Sequence, residues 1–241
     1  MPVTRHRDLQ DQKALVTGAT SGLGRAIALQ LARDGAEVVV HGRDEARGAQ
    51  TVEAIRADGG HARFVAADLT DPASIPRLAE AAGEIDILVN NAGFSAWGPT
   101  AGFDMATFDA LFASNVRAPF YLVAALAPAM VARGSGSIIN ISSMAGRLGL
   151  SGGAAYGATK AALASLTQAW AAEFSPHGVR VNAVAAGQID TRTPARELSD
   201  TPLKRAADPA EIAEVVAFLA SPRASYVTGA IVAADGGRTA I

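Results

Sequence analysis

The sequence predicts an α/β protein built on a doubly wound, mainly parallel seven-stranded sheet with helices on both faces. Short β-branched runs alternate with longer alanine-rich stretches from start to finish, and this alternation implies parallel strands joined by right-handed crossovers. Several runs lack polar alternation, which is typical of strands that helices cover on both sides. The predicted strands occupy residues 13–17, 37–40, 63–66, 86–89, 137–141, 179–184 and 230–233. Between them apolar residues recur at helical spacing, for example over residues 24–34 and 210–221.

The composition favours one α/β domain over residues 1–241 and excludes several kinds of site. Of the 241 residues, 49% are hydrophobic, which is enough to bury a sizeable core. The sequence has no cysteine, which excludes disulfides, thiolate metal sites and cysteine nucleophiles, and the four histidines show no metal-ligand spacing. A formal net charge of -2 offers no general attraction to nucleic acid or to anionic membranes.

The apolar segments and the N-terminus favour a cytoplasmic protein. The longest apolar run, residues 120–132, is too short to span a bilayer and contains Pro128. Residues 1–12 are polar and charged, unlike a signal peptide. We therefore expect neither a membrane partner nor a nucleic-acid partner.

A glycine-rich turn follows the first predicted strand and precedes a helix. Its sequence is Thr17-Gly18-Ala19-Thr20-Ser21-Gly22-Leu23-Gly24. Glycines allow a tight turn and a close approach of the backbone to a pyrophosphate, and the helix N-terminus offers free N–H groups to the phosphates. A plain strand–helix turn is the alternative, but the position after the first strand of an alternating chain favours dinucleotide binding.

The end of the second strand, Val40-His41-Gly42-Arg43, bears on the choice of cofactor. A site that prefers NAD usually carries a carboxylate here, which accepts a hydrogen bond from the adenosine ribose 2′-OH. Glycine occupies that position instead, and Arg43 can bind a 2′-phosphate through two hydrogen bonds. A solvated Arg43 is the alternative. We expect NADP(H), with NAD(H) as the less favoured cofactor.

The candidate catalytic residues lie in the second half of the chain. Tyr156 and Lys160 are four residues apart in a helix-forming stretch, so both lie on one helix face. A neighbouring ammonium lowers the pKa of a phenol, which helps a tyrosine to exchange protons. Ser143 lies at the end of the fifth strand, where its hydroxyl can bond a substrate carbonyl, whereas Ser142 should point to the other face. An exposed Tyr–Lys pair is the alternative.

Together these motifs resemble the short-chain dehydrogenase/reductase family, and in particular its 3-oxoacyl-acyl-carrier-protein reductases. The turn has the spacing TGxxxGxG, the fourth strand ends in Asn90-Asn91-Ala92-Gly93, and Asn115, Ser143, Tyr156 and Lys160 follow in the family's order. The resemblance covers roughly residues 10–237. It implies a Rossmann-type fold with strand order 3-2-1-4-5-6-7 and hydride transfer between a nicotinamide and a small-molecule carbonyl or alcohol, with Tyr156 as general acid and base.

The resemblance also implies individual roles. Asp68 would bind the adenine amino group, although an aspartate here could equally cap the next helix. Asn91 would tie neighbouring strands together, Asn115 would support a proton relay through water to Lys160, and Lys160 would hold the nicotinamide ribose. The remaining residues expected at the cofactor are Gly18, Thr20, Ser21, Gly22, Leu23, Gly24, Arg43, Leu69, Ala92, Gly93, Tyr156, Gly187, Ile189 and Thr191.

The segment after the sixth strand departs from the family pattern. Ala186 stands where the family has proline, and we expect the loss of a fixed φ to loosen this loop. Residues 192–204 should form a short substrate lid.

The resemblance implies a homo-oligomer, and specifically a tetramer, as is common in the family. A 3-oxoacyl-acyl-carrier-protein reductase and, in a different class, a non-catalytic dinucleotide sensor remain alternative functions. The first should show a basic patch beside the site, for which Arg133 and His177 are candidates.

Overall fold

The computed structural model describes residues 8–190 and 200–241, and its seven strands form one parallel sheet in the order β3-β2-β1-β4-β5-β6-β7. The predicted fold class and strand order are therefore confirmed. The strands are β1 (Lys13–Val16), β2 (Glu37–Gly42), β3 (His61–Ala66), β4 (Ile87–Asn90), β5 (Gly136–Ser143), β6 (Val179–Ala186) and β7 (Ile231–Ala234).

Helices cover both faces of the sheet. They are α1 (Gly22–Arg33), α2 (Glu45–Ala57), α3 (Ser74–Ala82), α4 (Met105–Phe112), α5 (Ala118–Arg133), α6 (Ala154–Phe174) and α7 (Pro209–Ala220). Helices α1, α2 and α7 bury one face, and α3, α5 and α6 bury the other. Successive strand residues serve opposite cores: Ala14 and Val16 of β1 pack with α1, and Leu15 packs with the opposite layer. The central strands are mainly apolar because both faces are covered, and their few polar side chains, such as Asn140, are buried and hydrogen-bonded.

Helices α4 and α5 form one long helix with a π-helical segment, Ala113–Arg117, between them. By length and composition this helix, Met105–Arg133, is the one helix in the described part of the chain that could cross a membrane. Of its most apolar 18-residue window, however, 56% is buried within the protein. It packs against α3 and α6, as the core helix of an α/β layer does.

Candidate active site

The end of β5 and the first turn of α6 bring Ser143 and Tyr156 together at the carboxyl edge of the sheet. Both side chains line one cavity, and the Ser143 hydroxyl accepts a hydrogen bond from the Ala145 N–H at 3.2 Å. A glycine at position 157 allows this closeness, because a Cβ there would lie 2.6 Å from the Ala145 carbonyl oxygen. The sequence therefore places α6 directly on the turn that follows β5.

Ser142 points away from Ser143, as the strand alternation predicted. Its hydroxyl is buried and donates to the Lys160 carbonyl oxygen at 3.0 Å. Ser142 thus attaches the strand to α6 and leaves Ser143 as the serine that faces Tyr156.

Lys160 lies beneath the tyrosine ring in a buried position. Its Nζ donates to the Ile141 carbonyl oxygen at 2.8 Å and lies 5.8 Å from the centroid of the Tyr156 ring. Burial disfavours the charged form and lowers the pKa of Lys160 to about 8. Burial also raises the pKa of Tyr156, against a smaller opposite effect from its hydrogen bond to Ser143. Desolvation of the phenol was not foreseen from the sequence, which predicted only a lowering of the Tyr156 pKa by the neighbouring ammonium.

Asn115 lies in the π-helical segment and binds the loop that follows β4. Its Nδ2 donates to the Phe94 carbonyl oxygen and to the Thr159 hydroxyl, each at 3.0 Å, and its Oδ1 accepts from the Phe94 N–H at 3.2 Å. The close approach of this loop requires a glycine at position 93, because a Cβ there would lie 2.6 Å from Asn115 Oδ1. Asn115 therefore joins α6 to the β4 loop, next to Lys160.

The glycine turn after β1 is fixed by the end of β4. Gly18 has φ +66°, a conformation that favours glycine, and its carbonyl oxygen accepts from Asn91 Nδ2 at 3.2 Å. The same amide donates to the Thr17 carbonyl oxygen at 2.8 Å. Gly24 allows α1 to lie on this turn, because a Cβ there would be 2.2 Å from the Gly18 oxygen. Asn91 thus ties neighbouring strand ends together, as the resemblance implied.

Two polar residues near the turn were not recognised from the sequence. The Thr17 hydroxyl accepts from the N–H groups of Asn91 and Ala92 at 2.9 Å each. His41 is buried between the turn and the end of β3, with its Nδ1 3.2 Å from the Gly18 nitrogen and its Nε2 3.2 Å from the Ala67 oxygen. No spacing signal marks either residue, because each contact joins segments that are distant in sequence.

The end of β2 presents Arg43 to solvent beside the turn. A Cβ on Gly42 would lie 2.5 Å from Thr20 Cγ2, so this glycine makes room for the Thr20 side chain. Asp44 caps α2 and binds the Arg47 Nε at 2.8 Å, which keeps this carboxylate engaged with a cation.

Asp68 does not cap a helix. Its Oδ1 accepts from the Thr70 N–H at 3.0 Å and from the Thr70 hydroxyl at 2.8 Å, in a turn before α3. Asp71 accepts from the N–H of Ala73 and from the hydroxyl of Ser74 at the start of that helix. The capping alternative for Asp68 is therefore wrong, since α3 begins only at Ser74, after Ala73 at its N-cap.

The backbone after β6 is held firmly despite the missing proline. Ala186 is a buried residue of β6 and pairs with Ser143 on one side and Ala234 on the other. The Gly187 N–H donates to the Ala234 carbonyl oxygen at 3.0 Å, and the Asp190 N–H donates to the Ala207 oxygen at 2.9 Å. The sheet and the chain near residue 207 thus provide bonds to residues 186–190, and the expected loosening stays a prediction.

Two of the expected features lie outside the described residues in whole or in part. Thr191 is among the residues that the structure does not describe, and so is the lid as far as residue 199. The end of the lid is anchored: Thr201 is buried, and the Leu203 N–H donates to the Gly236 oxygen at 3.1 Å.

The carboxyl edge carries two adjoining cavities of about 370 Å³ each. One is the turn cavity, lined by the glycine turn, Arg43 and residues 67–70. The other is the tyrosine cavity, lined by Leu23, Ser143, Tyr156, Lys160, Gly187 and Ile189. Asn91, Gly93 and Phe94 line both, so the two cavities form one extended groove. Of the predicted site residues that the structure describes, all line this groove except Gly22, Gly24 and Asn115.

A family model described as Enoyl-(Acyl carrier protein) reductase matches residues 18–239, which is nearly the whole chain. A solved structure described as a short chain dehydrogenase/reductase family protein is 52% identical, with a TM-score of 0.91 over 97% of this chain and 100% of that one. The chain belongs to the short-chain dehydrogenase/reductase family. It is an oxidoreductase of alcohol or carbonyl groups that uses a nicotinamide dinucleotide.

Curated relatives of this short-chain dehydrogenase/reductase are named for different alcohols. The cis-4-hydroxycyclohexanecarboxylate dehydrogenase of Sinomonas cyclohexanicum is 40% identical over 245 residues, which cover 96% of this chain and 98% of the relative. The galactitol 2-dehydrogenase (L-tagatose-forming) of Cereibacter sphaeroides is 41% identical over 244 residues, 94% of each chain.

Two further solved structures of the family resemble the chain closely in fold. A gluconate 5-dehydrogenase from Burkholderia cenocepacia, in complex with NADP and tartrate, is 31% identical with a TM-score of 0.91 over 98% of both chains. A 3-oxoacyl-(acyl-carrier protein) reductase from Brucella melitensis is 32% identical with a TM-score of 0.91, over 97% of this chain and 93% of that one.

Proposed function

We propose that this short-chain dehydrogenase/reductase uses NADP(H) to interconvert a carbonyl and a secondary alcohol, with Tyr156 as the general acid and base. One observation carries the proposal: Ser143, Tyr156 and Lys160 line one cavity at the carboxyl edge of the sheet, with Lys160 Nζ 5.8 Å from the centroid of the tyrosine ring. A carbonyl oxygen placed between the two hydroxyls would meet two hydrogen-bond donors. We further propose that one domain, residues 1–241, performs both cofactor binding and catalysis.

The groove fits a dinucleotide at its phosphate end. Helix α1 begins at Gly22 after Ser21, whose side chain makes no capping hydrogen bond, so the first N–H groups of the helix have no intrahelical or side-chain partner. Such a helix start favours anions. Glycine at position 24 lets the first turn of α1 lie directly on Gly18, where a Cβ would clash with the Gly18 oxygen. We assign the pyrophosphate to this turn.

The adenosine end of the groove favours a 2′-phosphate. Arg43 and Arg47 line the turn cavity, and the nearby Asp44 is already paired with Arg47. Asp68, which faces the same cavity, is left for the adenine amino group in this assignment, with Leu69 beside it. A phosphate near two guanidinium groups is stabilised by charge and by paired hydrogen bonds.

The nicotinamide end of the groove belongs beside Tyr156, Gly187 and Ile189. When bound, the nicotinamide supplies or accepts the hydride. Tyr156 donates its phenolic proton to the carbonyl oxygen in reduction and removes the hydroxyl proton in oxidation. Ser143 donates to the same oxygen and orients it. The Lys160 ammonium favours the phenolate by charge, which opposes the raising of the tyrosine pKa by burial.

The substrate side of the site carries an exposed aromatic ring. Trp97 is 52% exposed, and its ring centroid lies 6.0 Å from that of Tyr156. The indole rests on Gly153, where a Cβ would lie 2.7 Å from it. Trp97 therefore offers an apolar wall next to the reacting oxygen, which suits a small substrate with a carbon ring or chain beside its carbonyl.

The alternative function, reduction of a 3-oxoacyl group on an acyl carrier protein, receives support from the relative named for that reaction. The basic patch that such a reductase should carry beside its site gives this function no support. Arg133 donates to the Ile85 oxygen just before β4, and His177 precedes β6, so both lie at the amino edge of the sheet, opposite Tyr156. Free carbonyl compounds are therefore the favoured substrates.

The experiment is to follow oxidation of NADPH, with NADH in parallel, against ketones, diketones, sugars and β-ketoacyl thioesters. We expect turnover of free carbonyl compounds with a preference for NADPH. Rapid turnover of the thioesters alone would establish the alternative. Binding of a dinucleotide without turnover of any substrate would instead favour a non-catalytic sensor.

We also propose that the protein is a homo-oligomer. The long helix exposes Met105, Phe108, Phe120 and Tyr121, of which Phe120 is 43% and Tyr121 55% accessible. A cavity beside them is lined by residues of α5 and α6, including Leu166. Large apolar side chains grouped on one face are typical of a subunit interface.

A further inference from the structure

His41 is the one buried histidine in the described part of the chain, and it joins three segments of the groove. It is 2% exposed and lies one residue before the end of β2. Its ring contacts the Gly18 N–H on one side and the Ala67 carbonyl oxygen on the other, both at 3.2 Å. Its own carbonyl oxygen accepts from the Ala19 N–H at 2.8 Å. One residue therefore binds two consecutive N–H groups of the turn and the first residue after β3.

The hydrogen-bond partners determine the protonation of the ring. Because Gly18 offers an N–H, Nδ1 must accept and carry no proton, and because Ala67 offers an oxygen, Nε2 must donate. Only the neutral Nε2–H tautomer satisfies both. Burial lowers the pKa of His41 to about 4, although the hydrogen bond to Ala67 and the charge of Asp68 oppose this.

The charged groups around His41 come from each neighbouring segment. Asp68 follows β3, Arg43 follows β2, and Asp44 and Arg47 belong to the start of α2. The first two face the cavity, and the last two are paired with each other. None of them forms a hydrogen bond with the ring in the described structure, where both nitrogens are taken by the backbone.

We propose that His41 is a positioning residue for the dinucleotide, which fixes the distance between the glycine turn and the Ala67–Leu69 segment. This inference rests on the proposed function. Both segments line the turn cavity, as His41 does, and the imidazole is hydrogen-bonded to each of them. Asn91 holds the Gly18 carbonyl from the side of β4, so the histidine supplies the matching restraint on the N–H. Without the imidazole the turn loses its link to Ala67, and the bond from the Ala19 N–H to the His41 carbonyl oxygen remains.

A restraint of this kind has a different signature from that of a phosphate-binding residue. Arg43 lies where only the 2′-phosphate of NADP(H) would meet it, so Arg43→Ala should weaken NADPH binding and leave NADH binding unchanged. His41 acts on the turn and on the segment beneath the adenosine, which both dinucleotides use. Its replacement should therefore weaken binding of NADPH and NADH by a similar factor.

The test measures the Kd of both dinucleotides for three His41 variants. His41→Phe keeps a ring of similar size but removes both hydrogen bonds, and we expect Kd to rise about tenfold for each dinucleotide. His41→Asn retains an acceptor near the Nδ1 position and His41→Gln a donor near the Nε2 position, so each should restore part of the affinity. The loss in His41→Phe should fall mainly on Kd, with a smaller fall in kcat at saturating NADPH. His61→Asn, at the exposed start of β3, is the matched control.

The outcomes separate this inference from the proposed function. If the wild type binds neither dinucleotide, the proposed function fails. If the wild type binds both and the His41 variants bind as tightly, with only a lower Tm, the histidine is merely structural and the inference is overturned. Should His41→Phe not fold, the Asn and Gln variants carry the same comparison. A long-range ¹H–¹⁵N spectrum of the wild type should show the Nε2–H tautomer, and an Nδ1–H signal would also overturn it.

Discussion

Lys160 is a buried ammonium that lies beside the proposed catalytic phenol. Burial of its charge lowers the stability of the fold, whereas its position beside Tyr156 supports catalysis. The pKa of this lysine is about 8, against 10.5 for an ordinary lysine. Below pH 8 the group is charged in both the folded and the unfolded chain, so the full desolvation cost opposes folding. As the pH rises from 8 to 10.5 the folded chain no longer carries this charge, and the cost disappears.

We predict that Lys160→Met raises the free energy of unfolding at pH 7 by roughly 1–3 kcal/mol and lowers turnover about 10²–10⁴-fold. The gain in stability should shrink between pH 8 and pH 10.5. Urea denaturation at pH 7 and pH 9.5, with turnover of the same samples, measures both. Lys13→Met, on an exposed lysine, serves as control. A variant less stable than the wild type at both pH values would contradict the assigned effect of burial.

Residues whose roles follow from local spacing were predictable from the sequence, and those that act through distant contacts were not. Tyr156 and Lys160 are one helical turn apart, and Ser143 ends a strand, so their placement follows from periodicity. His41 binds Gly18 and Ala67, which are 23 and 26 residues away. Nothing in the local sequence of a histidine indicates which backbone groups will reach its ring.

At the scale of elements, the end of β6 shows which backbone bonds hold the chain where the family proline is missing. Hydrogen bonds from the backbone near Ala207 and Ala234 fix residues 187–190, and these bonds do not depend on the residue at position 186. The sequence pattern identified Gly187 as a cofactor contact. The structure adds that Gly187 is required by the fold, because a Cβ there would lie 2.7 Å from the Asp235 Cα.

We predict that Gly187→Ala lowers the free energy of unfolding by about 1–3 kcal/mol, since the backbone of β6 or of residue 235 must shift to admit the methyl group. Thermal or urea denaturation measures the loss. Gly149→Ala is the matched control, because a Cβ there meets nothing within 4 Å and the residue has no positive φ. Equal stability of the two variants would show that this close approach is not needed.

At the scale of the whole molecule, the exposed aromatic side chains of the long helix predict association. Light scattering at assay concentration should give a mass larger than that of the 24.5 kDa chain, consistent with a dimer or tetramer. Phe120→Glu should lower that mass, because a charge on the shared face opposes its burial. Tyr226→Glu, on a fully exposed tyrosine, is the control. A monomeric wild type would contradict the proposed interface.

The fold was predictable at this scale because the order of the segments and the apolar pattern within the strands both indicate the same architecture. Alternating segments predicted the crossovers, doubly apolar strands predicted two covered faces, and both are observed. The π-helical segment at Ala113–Arg117, within the helix Met105–Arg133, was not foreseen, and its Asn115 bonds Phe94 and Thr159, which are 21 and 44 residues away. The identity of the substrate lies in side chains that shape one wall of a cavity, and general periodicity does not encode it.

The most direct test of the central claim is a comparison of the wild type with Tyr156→Phe under single-turnover conditions, with NADPH bound and an accepted carbonyl substrate added. The account predicts that the variant binds NADPH with nearly the wild-type Kd, because the ring is retained, while the rate of NADPH oxidation falls at least about 10²-fold. A variant that oxidises NADPH at close to the wild-type rate would contradict the assignment of Tyr156 as the proton donor and acceptor.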